Sequence, residues 1–314
     1  MANSSLGKAR DVKNDEFYTQ LKDIENELVH YADKFKGKVI LCNCDDPKQS
    51  QFWKYFRTKF NHLGLKKLIS THYKDSMLWD KEAVAYVKTY DGEKERRRNL
   101  EGSGGFETAE CIELLKECDI VCTNPPFSLF SDFVDLIIRH KKKFLIIGNM
   151  NAVTYKDFFE LIKENKVWFG MTPKSGGMEF QVTDEFKGKV SKTEKGKRFT
   201  KLGFACWFTN LPNKRLEEEI PAVETYNKKE YPHYDNYDAV EVGYGYKRKT
   251  ERIPKGYKGK MGVPISYLTR HNPKQFEIIG LCWILLLGQP GGVLTINGER
   301  VYRRIIIKWK DLPK

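Results

Sequence analysis

The four residues Asn124-Pro125-Pro126-Phe127 directly follow Asp119–Thr123, an apolar run with the composition of a buried strand. An aromatic amine such as adenine N6 is a poor nucleophile, because its lone pair is delocalised into the ring. An Asn side-chain oxygen and a backbone carbonyl that accept both N–H groups stabilise the positive charge that develops on nitrogen as a methyl group arrives. The four residues therefore predict methyl transfer to an exocyclic amine.

The two prolines and the phenylalanine suit the same chemistry. Each proline ring fixes φ, so Pro125 and Pro126 stiffen the turn that directs the carbonyl of Pro125. Phe127 offers a flat face on which a base can stack. The alternative interpretation is a strand that ends in a proline turn with Phe127 in the core, but the complete tetrad after a buried strand favours the catalytic one.

Composition limits the class of protein. The chain has 314 residues and a formal net charge of +13 at pH 7. This length suffices for one large domain or two, and the basic charge predicts an acidic partner, for which nucleic acid is the default. The seven cysteines form no paired CxxC framework, so we expect reduced core thiols and no metal site. The longest apolar run is far too short to span a bilayer, and we expect a cytoplasmic protein with no membrane partner.

Helical and strand-like patterns alternate as far as Gly148. Helices are predicted at Asn14–Phe35, Gln51–Phe56, Thr108–Cys118 and Leu129–Arg139, and strands at Lys38–Cys44, Leu65–Ser70, Asp119–Thr123 and Phe144–Gly148. The charged stretch Asp80–Gly105 is predicted to be a connecting segment with little core of its own. This alternation predicts an α/β fold with a doubly wound, mostly parallel sheet.

Polar residues follow two of the predicted parallel strands. In doubly wound sheets, ligands bind outside the carboxyl ends of the strands, where the strand order reverses. Asp45-Asp46-Pro47 and the Asn124 tetrad both lie at such ends. A carboxylate at Asp45 or Asp46 can bind the ammonium or ribose hydroxyls of S-adenosylmethionine, and Tyr18 and Thr19 can hold its carboxylate. Taken singly, paired Asp before Pro is more typical of a turn, and Tyr-Thr early in a helix is more typical of packing or capping.

The alternation is lost after Leu211, and we divide the chain into domains 1–212 and 213–314. Asn297-Gly298 predicts a hairpin before a last strand-like run. In that run Arg304, Lys308 and Lys310 share one face, which predicts a half-buried strand whose basic side contacts a nucleic-acid backbone. A solvated edge strand protected by its charges is the alternative.

Segments spread along most of the chain carry a resemblance to a known family. They are Asp15–Gln20, Cys42–Pro47, Asp119–Phe130, Phe144–Asn149, Tyr234–Ala239, Met261–Ile265 and Asn272–Glu277. In these segments the chain resembles the adenine-N6 DNA methyltransferases of the EcoRI modification type. The resemblance implies the S-adenosylmethionine-dependent methyltransferase fold, with a catalytic domain first and an α+β target-recognition region last. It also implies S-adenosylmethionine as cofactor, and double-stranded DNA and a cognate restriction endonuclease as partners.

The resemblance also implies roles for individual residues. Asn124 and the Pro125 carbonyl would bind the target amine, Pro126 would stiffen their loop, and Phe127 would stack on the flipped base. The S-adenosylmethionine site would be lined by Tyr18, Thr19, Asp45, Asp46 and Pro47, with Phe106 near the cofactor adenine. Where relatives tend to have Gly-Asp-Phe, this chain has Gly104-Gly105-Phe106, so an expected carboxylate is missing.

Two other functions fit the same residues. The tetrad also serves methylation of RNA adenine, cytosine N4 or a protein glutamine. The basic C-terminal region favours nucleic acid over protein, and the resemblance favours DNA over RNA. The second alternative is a DNA-binding module with a decayed cofactor site, which only the missing carboxylate at Gly105 supports.

Overall fold

A computed structural model describes residues 17–74, 84–172, 177–184, 186–222, 224–243, 252–287 and 293–310. Its strands are β1 (Phe17–Thr19), β2 (Val39–Cys42), β3 (Lys67–His72), β4 (Tyr86–Tyr90), β5 (Glu95–Asn99), β6 (Ile120–Thr123), β7 (Lys143–Asn149), β8 (Trp168–Phe169), β9 (Met178–Val182), β10 (Lys192–Glu194), β11 (Lys197–Leu202), β12 (Ala205–Thr209), β13 (Val240–Glu241), β14 (Met261–Pro264), β15 (Phe276–Leu281), β16 (Thr295–Ile296), β17 (Glu299–Arg300) and β18 (Arg304–Trp309). Its α-helices are α1 (Leu21–Leu28), α2 (Ala32–Phe35), α3 (Gln51–Thr58), α4 (Phe60–Leu63), α5 (Ala109–Glu117), α6 (Phe130–Arg139), α7 (Lys156–Lys163) and α8 (Cys282–Leu285).

The chain divides into two compact units. The first comprises Met1–Ala152 and Gly170–Leu211, and the second comprises Val153–Phe169 and Pro212–Lys314. The second unit therefore includes α7 and β8, which the sequence pattern had placed in the first domain. None of the helices in the described ranges is long and apolar enough to cross a membrane.

Four parallel strands form the centre of the sheet in the first unit, in the order β3-β2-β6-β7. Every residue of β2 and β6 is buried, which explains why their sequences are apolar without alternation. Antiparallel strands extend this centre on both sides, β4 and β5 beside β3, and β12 beside β7. The predicted α/β fold with a large, mainly parallel central sheet is confirmed.

The strand order reverses between β2 and β6. From β2 the chain passes through α3 and α4 to β3 on one side, and from β6 it passes through α6 to β7 on the other. Helix α3 begins where the Ser50 hydroxyl accepts hydrogen bonds from the N–H groups of Phe52 (3.0 Å) and Trp53 (3.4 Å). This cap places the start of α3 directly after the loop that carries Asp45 and Asp46.

Residues 17–19 were predicted to be helical, and this was wrong. They form β1, which pairs antiparallel with β9, so that Phe17 lies opposite Val182 and Thr19 opposite Phe180. Aromatic and β-branched residues favour a strand when a partner strand is at hand, and helix α1 begins only at Leu21. Residues 14–16 of the predicted helix lie outside the described residues.

The prediction that Asp80–Gly105 contributes little core was also wrong. Strands β4 and β5 extend the central sheet, and Tyr86, Val87, Tyr90 and Leu100 are buried. All five residues of β5 are exposed, because β5 is an edge strand that carries its charges outward. Residues 75–83 lie outside the described part of the chain.

The second unit has a mixed sheet in the order β13-β14-β18-β15. Strand β18 is an interior strand, antiparallel to β14 and β15. The predicted hairpin is confirmed as β16–β17, with positive φ at Asn297 (52°) and Gly298 (77°) as a two-residue turn of type I′ requires. None of the seven cysteines, all of them described, forms a disulfide, and six are buried, as predicted.

Candidate active site

The loops that follow β2 and β6 lie next to each other, because the two strands are hydrogen-bonded neighbours. The first loop carries Asp45 and Asp46, and the second begins with Asn124. Both leave the carboxyl edge of the parallel strands at the point where the strand order reverses. This is the place where doubly wound sheets bind their ligands.

Asp45 joins the two loops. Its buried carboxylate accepts hydrogen bonds from the Thr123 hydroxyl and, at 3.2 Å, from the backbone N–H of Asn124. The Thr123 oxygen accepts in turn from the N–H of Cys44 at 3.2 Å. Burial raises the pKa of Asp45 to about 6, and its hydrogen bonds with Thr123, Asn124 and Ser50 act in the opposite direction. These contacts make Asp45 a group that fixes the position of the Asn124 loop.

The side-chain amide of Asn124 is oriented by the backbone of β1. Its Nδ2 donates a hydrogen bond to the carbonyl oxygen of Phe17 at 2.6 Å. Its Oδ1 is buried and has no hydrogen-bond partner among the described residues. An unsatisfied buried acceptor costs about 1–3 kcal/mol, so such an atom calls for an explanation. The arrangement presents an oxygen, and not an amide N–H, to an incoming donor.

Phe127 lies in a cluster of aromatic side chains. Its half-buried ring stacks on Phe17 with centroids 5.6 Å apart and an interplanar angle of 29°. Phe204 meets it nearly edge-on at 5.9 Å. Pro125 is buried and Pro126 partly buried, so the tetrad is firmly packed. A base that stacked on Phe127 would extend an aromatic surface that already exists.

Two more buried side-chain polar atoms lack partners in the described part of the chain, one directly after β2 and one in β1, the strand whose Phe17 carbonyl binds Asn124. They are Thr19 Oγ1, two residues after Phe17 in β1, and Asn43 Oδ1, in the first residue after β2. With Asn124 Oδ1 they make up all such side-chain atoms found among the described residues. Sequence reasoning selected Thr19 and missed Asn43, although its position at the end of a buried strand was a usable indication.

Asp46 has different neighbours from Asp45. Its carboxylate accepts hydrogen bonds from the Tyr86 hydroxyl (3.1 Å) and the N–H of Lys48 (2.9 Å), and His72 Nδ1 lies 3.5 Å away. The His72 ring stacks on Tyr86 at 4.9 Å, and the Arg97 guanidinium lies 4.0 Å from the Tyr86 centroid. Burial and the Asp46 charge raise the pKa of Tyr86 to about 12. The Asp46 side chain remains 15% exposed, so it is accessible to a ligand.

The Gly104–Phe106 loop packs against the end of β3. A Cβ at Gly104 would lie 2.6 Å from the His72 carbonyl oxygen, and its φ is +77°, so only glycine fits there. A Cβ at Gly105 would lie 3.3 Å from the hydroxyl of the exposed Ser103, so a side chain requires Ser103 to shift by a few tenths of an ångström. Phe106 is buried against Phe133, with centroids 5.0 Å apart. Pro47, the remaining predicted cofactor residue, is also buried.

The prediction that Arg304 contacts DNA was wrong. Arg304 is 6% exposed, and its guanidinium binds both carboxylate oxygens of the fully buried Glu241 at 2.8–3.0 Å. The physical reason is that β18 is an interior strand, and a buried guanidinium needs a paired carboxylate. Lys308 and Lys310 are exposed, and their contact with DNA stays a prediction.

A doubly wound sheet with Asn-Pro-Pro-Phe at its reversal point, and an oriented amide oxygen there, is typical of methyltransferases that modify amines. The chain belongs to the family described as adenine-specific methyltransferase EcoRI, which matches residues 5–310. It is 43% identical to the Type II methyltransferase M.EcoRI of Escherichia coli, over 99% of this chain and 98% of that protein. It is 39% identical to the Type II methyltransferase M.MpnI of Mycoplasma pneumoniae, over 98% of each. No solved structure matches the chain. The family resemblance inferred from the sequence is confirmed.

Proposed function

We propose that this chain is a site-specific DNA methyltransferase that transfers a methyl group from S-adenosylmethionine to N6 of an adenine rotated out of duplex DNA. Membership of the adenine-specific methyltransferase family supports the reaction. The net charge of +13 supports a nucleic-acid substrate. The observation that carries the proposal is the Asn124 amide, whose Nδ2 is bound to Phe17 while its buried Oδ1 has no partner among the described residues.

Residues of β1 and of the loop after β2 fit S-adenosylmethionine. Thr19 Oγ1 can donate to the cofactor carboxylate, and Asn43 Oδ1 and Asp46 can accept from its ammonium or ribose hydroxyls, with Tyr18 beside them in β1. The two unpaired buried oxygens support this assignment, because a polar ligand would satisfy them. When bound, the cofactor supplies an electrophilic methyl group on a sulfonium. Asp45, whose carboxylate is engaged by Thr123 and Asn124, holds the loop.

The chemistry follows from the acceptors around the amine. Asn124 Oδ1 and the Pro125 carbonyl accept the two N6–H groups, and their attraction grows as the nitrogen becomes positive. They therefore stabilise the transition state more than the ground state. The proton leaves only after the nitrogen carries the methyl group, when it is acidic, so no strong base is needed.

Extrusion of the adenine costs a few kcal/mol. The ring of Phe127, supported by Phe17, offers a surface that recovers part of the lost stacking. We assign cofactor binding and amine chemistry to the first unit and target recognition to the second, where Lys308 and Lys310 are candidate contacts for DNA phosphates. The resemblance to EcoRI-type enzymes extends the proposal to a cytoplasmic location and to a cognate restriction endonuclease that acts on the same site.

Transfer of tritiated methyl groups from S-adenosylmethionine tests the substrate class. The protein is incubated separately with duplex DNA, RNA and an unrelated protein mixture. We expect incorporation into DNA, with none when every adenine in a synthetic duplex is replaced by N6-methyladenine. Incorporation into RNA or protein alone would contradict the proposal.

A further inference from the structure

Two adjacent side chains of the second unit, Tyr302 and Arg303, point outward just before β18. Tyr302 is 73% exposed, more than any other aromatic side chain in the described ranges. Arg303 is also exposed, and Arg300, at the end of β17, adds a third exposed side chain. The sequence pattern had selected Arg304 as the contact residue, but the structure buries Arg304 and exposes its two predecessors.

The buried Arg304 fixes the backbone that displays them. Its Nη1 donates to the carbonyl oxygens of Tyr302 (2.8 Å) and Arg303 (3.4 Å), while Glu241 holds the rest of the guanidinium. The N–H of Arg304 donates to Cys282 Sγ at 3.2 Å. Hydrogen bonds thereby fix the carbonyl groups of Tyr302 and Arg303 and the N–H group of Arg304, the residue that follows them. Contacts made from such a fixed segment lose little conformational entropy on binding.

The charge of Arg303 is held in place and is not neutralised. Its guanidinium lies 5.0 Å from the ring of Trp283, and no carboxylate in the described part of the chain lies within ion-pair distance of it. Trp283 is itself half-buried against the core of the second unit. An arginine fixed over an indole and lacking an acidic partner is suited to bind an anion such as a phosphate.

We propose that Tyr302 and Arg303 form a contact with duplex DNA in which Arg303 binds a backbone phosphate and Tyr302 packs on a neighbouring sugar. This contact rests on the proposed function and goes beyond it, because it assigns the DNA-binding role to residues outside the predicted basic face. The pairing of an exposed cation with an exposed aromatic favours DNA, since phosphate oxygens and sugar rings alternate along each backbone of a duplex.

Binding measurements on three variants test the contact. The Kd for an unmethylated duplex that contains the protein's target site is measured by fluorescence anisotropy over a range of salt concentrations. Arg303→Gln should weaken binding and lower the slope of log K against log salt by about one, as loss of one phosphate contact predicts. Tyr302→Ala should weaken binding by about tenfold with the slope unchanged, and Tyr302→Phe, which keeps the ring, should bind like the wild type.

Arg139→Gln is the control for the loss of one exposed arginine charge, although Arg139, unlike Arg303, is paired with a carboxylate, that of Asp135 at 2.9 Å. Arg139 ends α6, and α6 begins at the site edge, so Arg139 lies toward the opposite edge of the sheet. If the wild type methylates DNA but Arg303→Gln and Tyr302→Ala have its Kd and its salt slope, the proposed contact is wrong and the proposed function stands. Failure of the wild type to bind DNA would overturn the proposed function as well. Cofactor affinity, measured in parallel, shows that each variant is folded.

Discussion

Replacement of Asn124 by Asp tests whether the Phe17 carbonyl orients the catalytic amide. The two side chains have nearly the same shape, but an ionised carboxylate has no N–H for the Phe17 oxygen, which lies 2.6 Å from Nδ2 in the wild type. Two oxygens at that distance repel each other, so the introduced side chain must rotate away or take up a proton. A protonated carboxyl restores the arrangement, because its O–H donates to Phe17 and its other oxygen accepts from the amine.

The expected magnitude follows from the position of the group. Removal of one preorganised hydrogen-bonding group beside a developing charge lowers kcat by about 10²–10³, or ~2.7–4 kcal/mol. We expect Asn124→Ala to lose this factor at every pH, and Asn124→Asp to lose it at pH 8. Burial and the neighbouring Phe17 carbonyl raise the pKa of the introduced carboxyl. The rate of Asn124→Asp relative to the wild type should therefore rise about tenfold per pH unit as the pH falls toward that pKa.

The assay is the single-turnover rate of methyl transfer, with saturating cofactor and a duplex that carries one site, between pH 5.5 and pH 8.5. Single-turnover conditions separate the chemical step from product release. Asp45 accepts a hydrogen bond from the Asn124 N–H, so a new charge at position 124 also affects its titration. Asn124→Ala, assayed over the same pH range, gives the contribution of Asp45 without that charge. Cofactor affinity is measured beside each rate to show that the site is intact.

Two results would refute this reasoning. One is a ratio of Asn124→Asp to wild-type rate that does not change with pH. The other is full activity of Asn124→Asp at pH 8. Either result would mean that the contact between Nδ2 and the Phe17 carbonyl does not set the orientation of the catalytic oxygen.

Three further predictions concern the surroundings of the site and the second unit. The pKa of Asp45 is raised from its usual 3.8 to about 6, so burying its charged form destabilises the fold above pH 6 and has no effect below pH 3.8. The free energy of unfolding of Asp45→Asn minus that of the wild type, measured in urea, should therefore rise by up to about 3 kcal/mol from pH 4 to pH 7. A difference that stays constant over this range would contradict this. Gly105→Asp, which needs only a small shift of the Ser103 side chain, should tighten S-adenosylmethionine binding in calorimetry, and unchanged or weaker binding would contradict a need for a carboxylate there. Glu241→Gln leaves the Arg304 charge buried and unpaired and should destabilise the fold by about 3–5 kcal/mol, whereas the exposed control Lys308→Gln should change it by less than about 0.5 kcal/mol.

The parallel centre of the sheet and its reactive edge could be predicted from the sequence. Strands β2 and β6 are buried on both faces, so they are continuous apolar runs, and each ends at polar residues. Because parallel neighbours end at the same edge, the position of Asp45 beside Asn124 follows from the order of the elements alone. The direction of each side chain does not follow, so the sequence did not reveal that Asp45 accepts a hydrogen bond from the Asn124 loop.

The strands that complete the site could not be predicted, because their partners are distant in sequence. Phe17–Thr19 becomes a strand by pairing with β9, and only this pairing brings the Phe17 carbonyl to Asn124. Tyr86, which contacts Asp46, lies in a stretch whose many charges hid its buried residues. Local patterns record propensity, while these elements depend on tertiary pairing.

The error at Arg304 has a similar origin. A period of two assigns alternate residues to opposite faces, but it does not show whether one face is solvated. In β18 the four residues Arg304–Ile307 are all buried, because a neighbouring strand lies on each side and both faces are covered. The carboxylate that neutralises Arg304 comes from Glu241 in a different strand, and no local pattern connects the two.

The most direct test of the central claim is mass spectrometry of nucleosides released from duplex DNA after incubation with the protein and S-adenosylmethionine. We predict N6-methyladenine with the wild type and with Asn61→Ala, which alters an exposed asparagine on α4, and about 10²–10³-fold less in the same incubation time with Asn124→Ala. N4-methylcytosine in place of N6-methyladenine would keep the mechanism and contradict the base assignment. N6-methyladenine formed equally by Asn124→Ala would contradict the role of the Asn124 oxygen, on which the proposed mechanism depends.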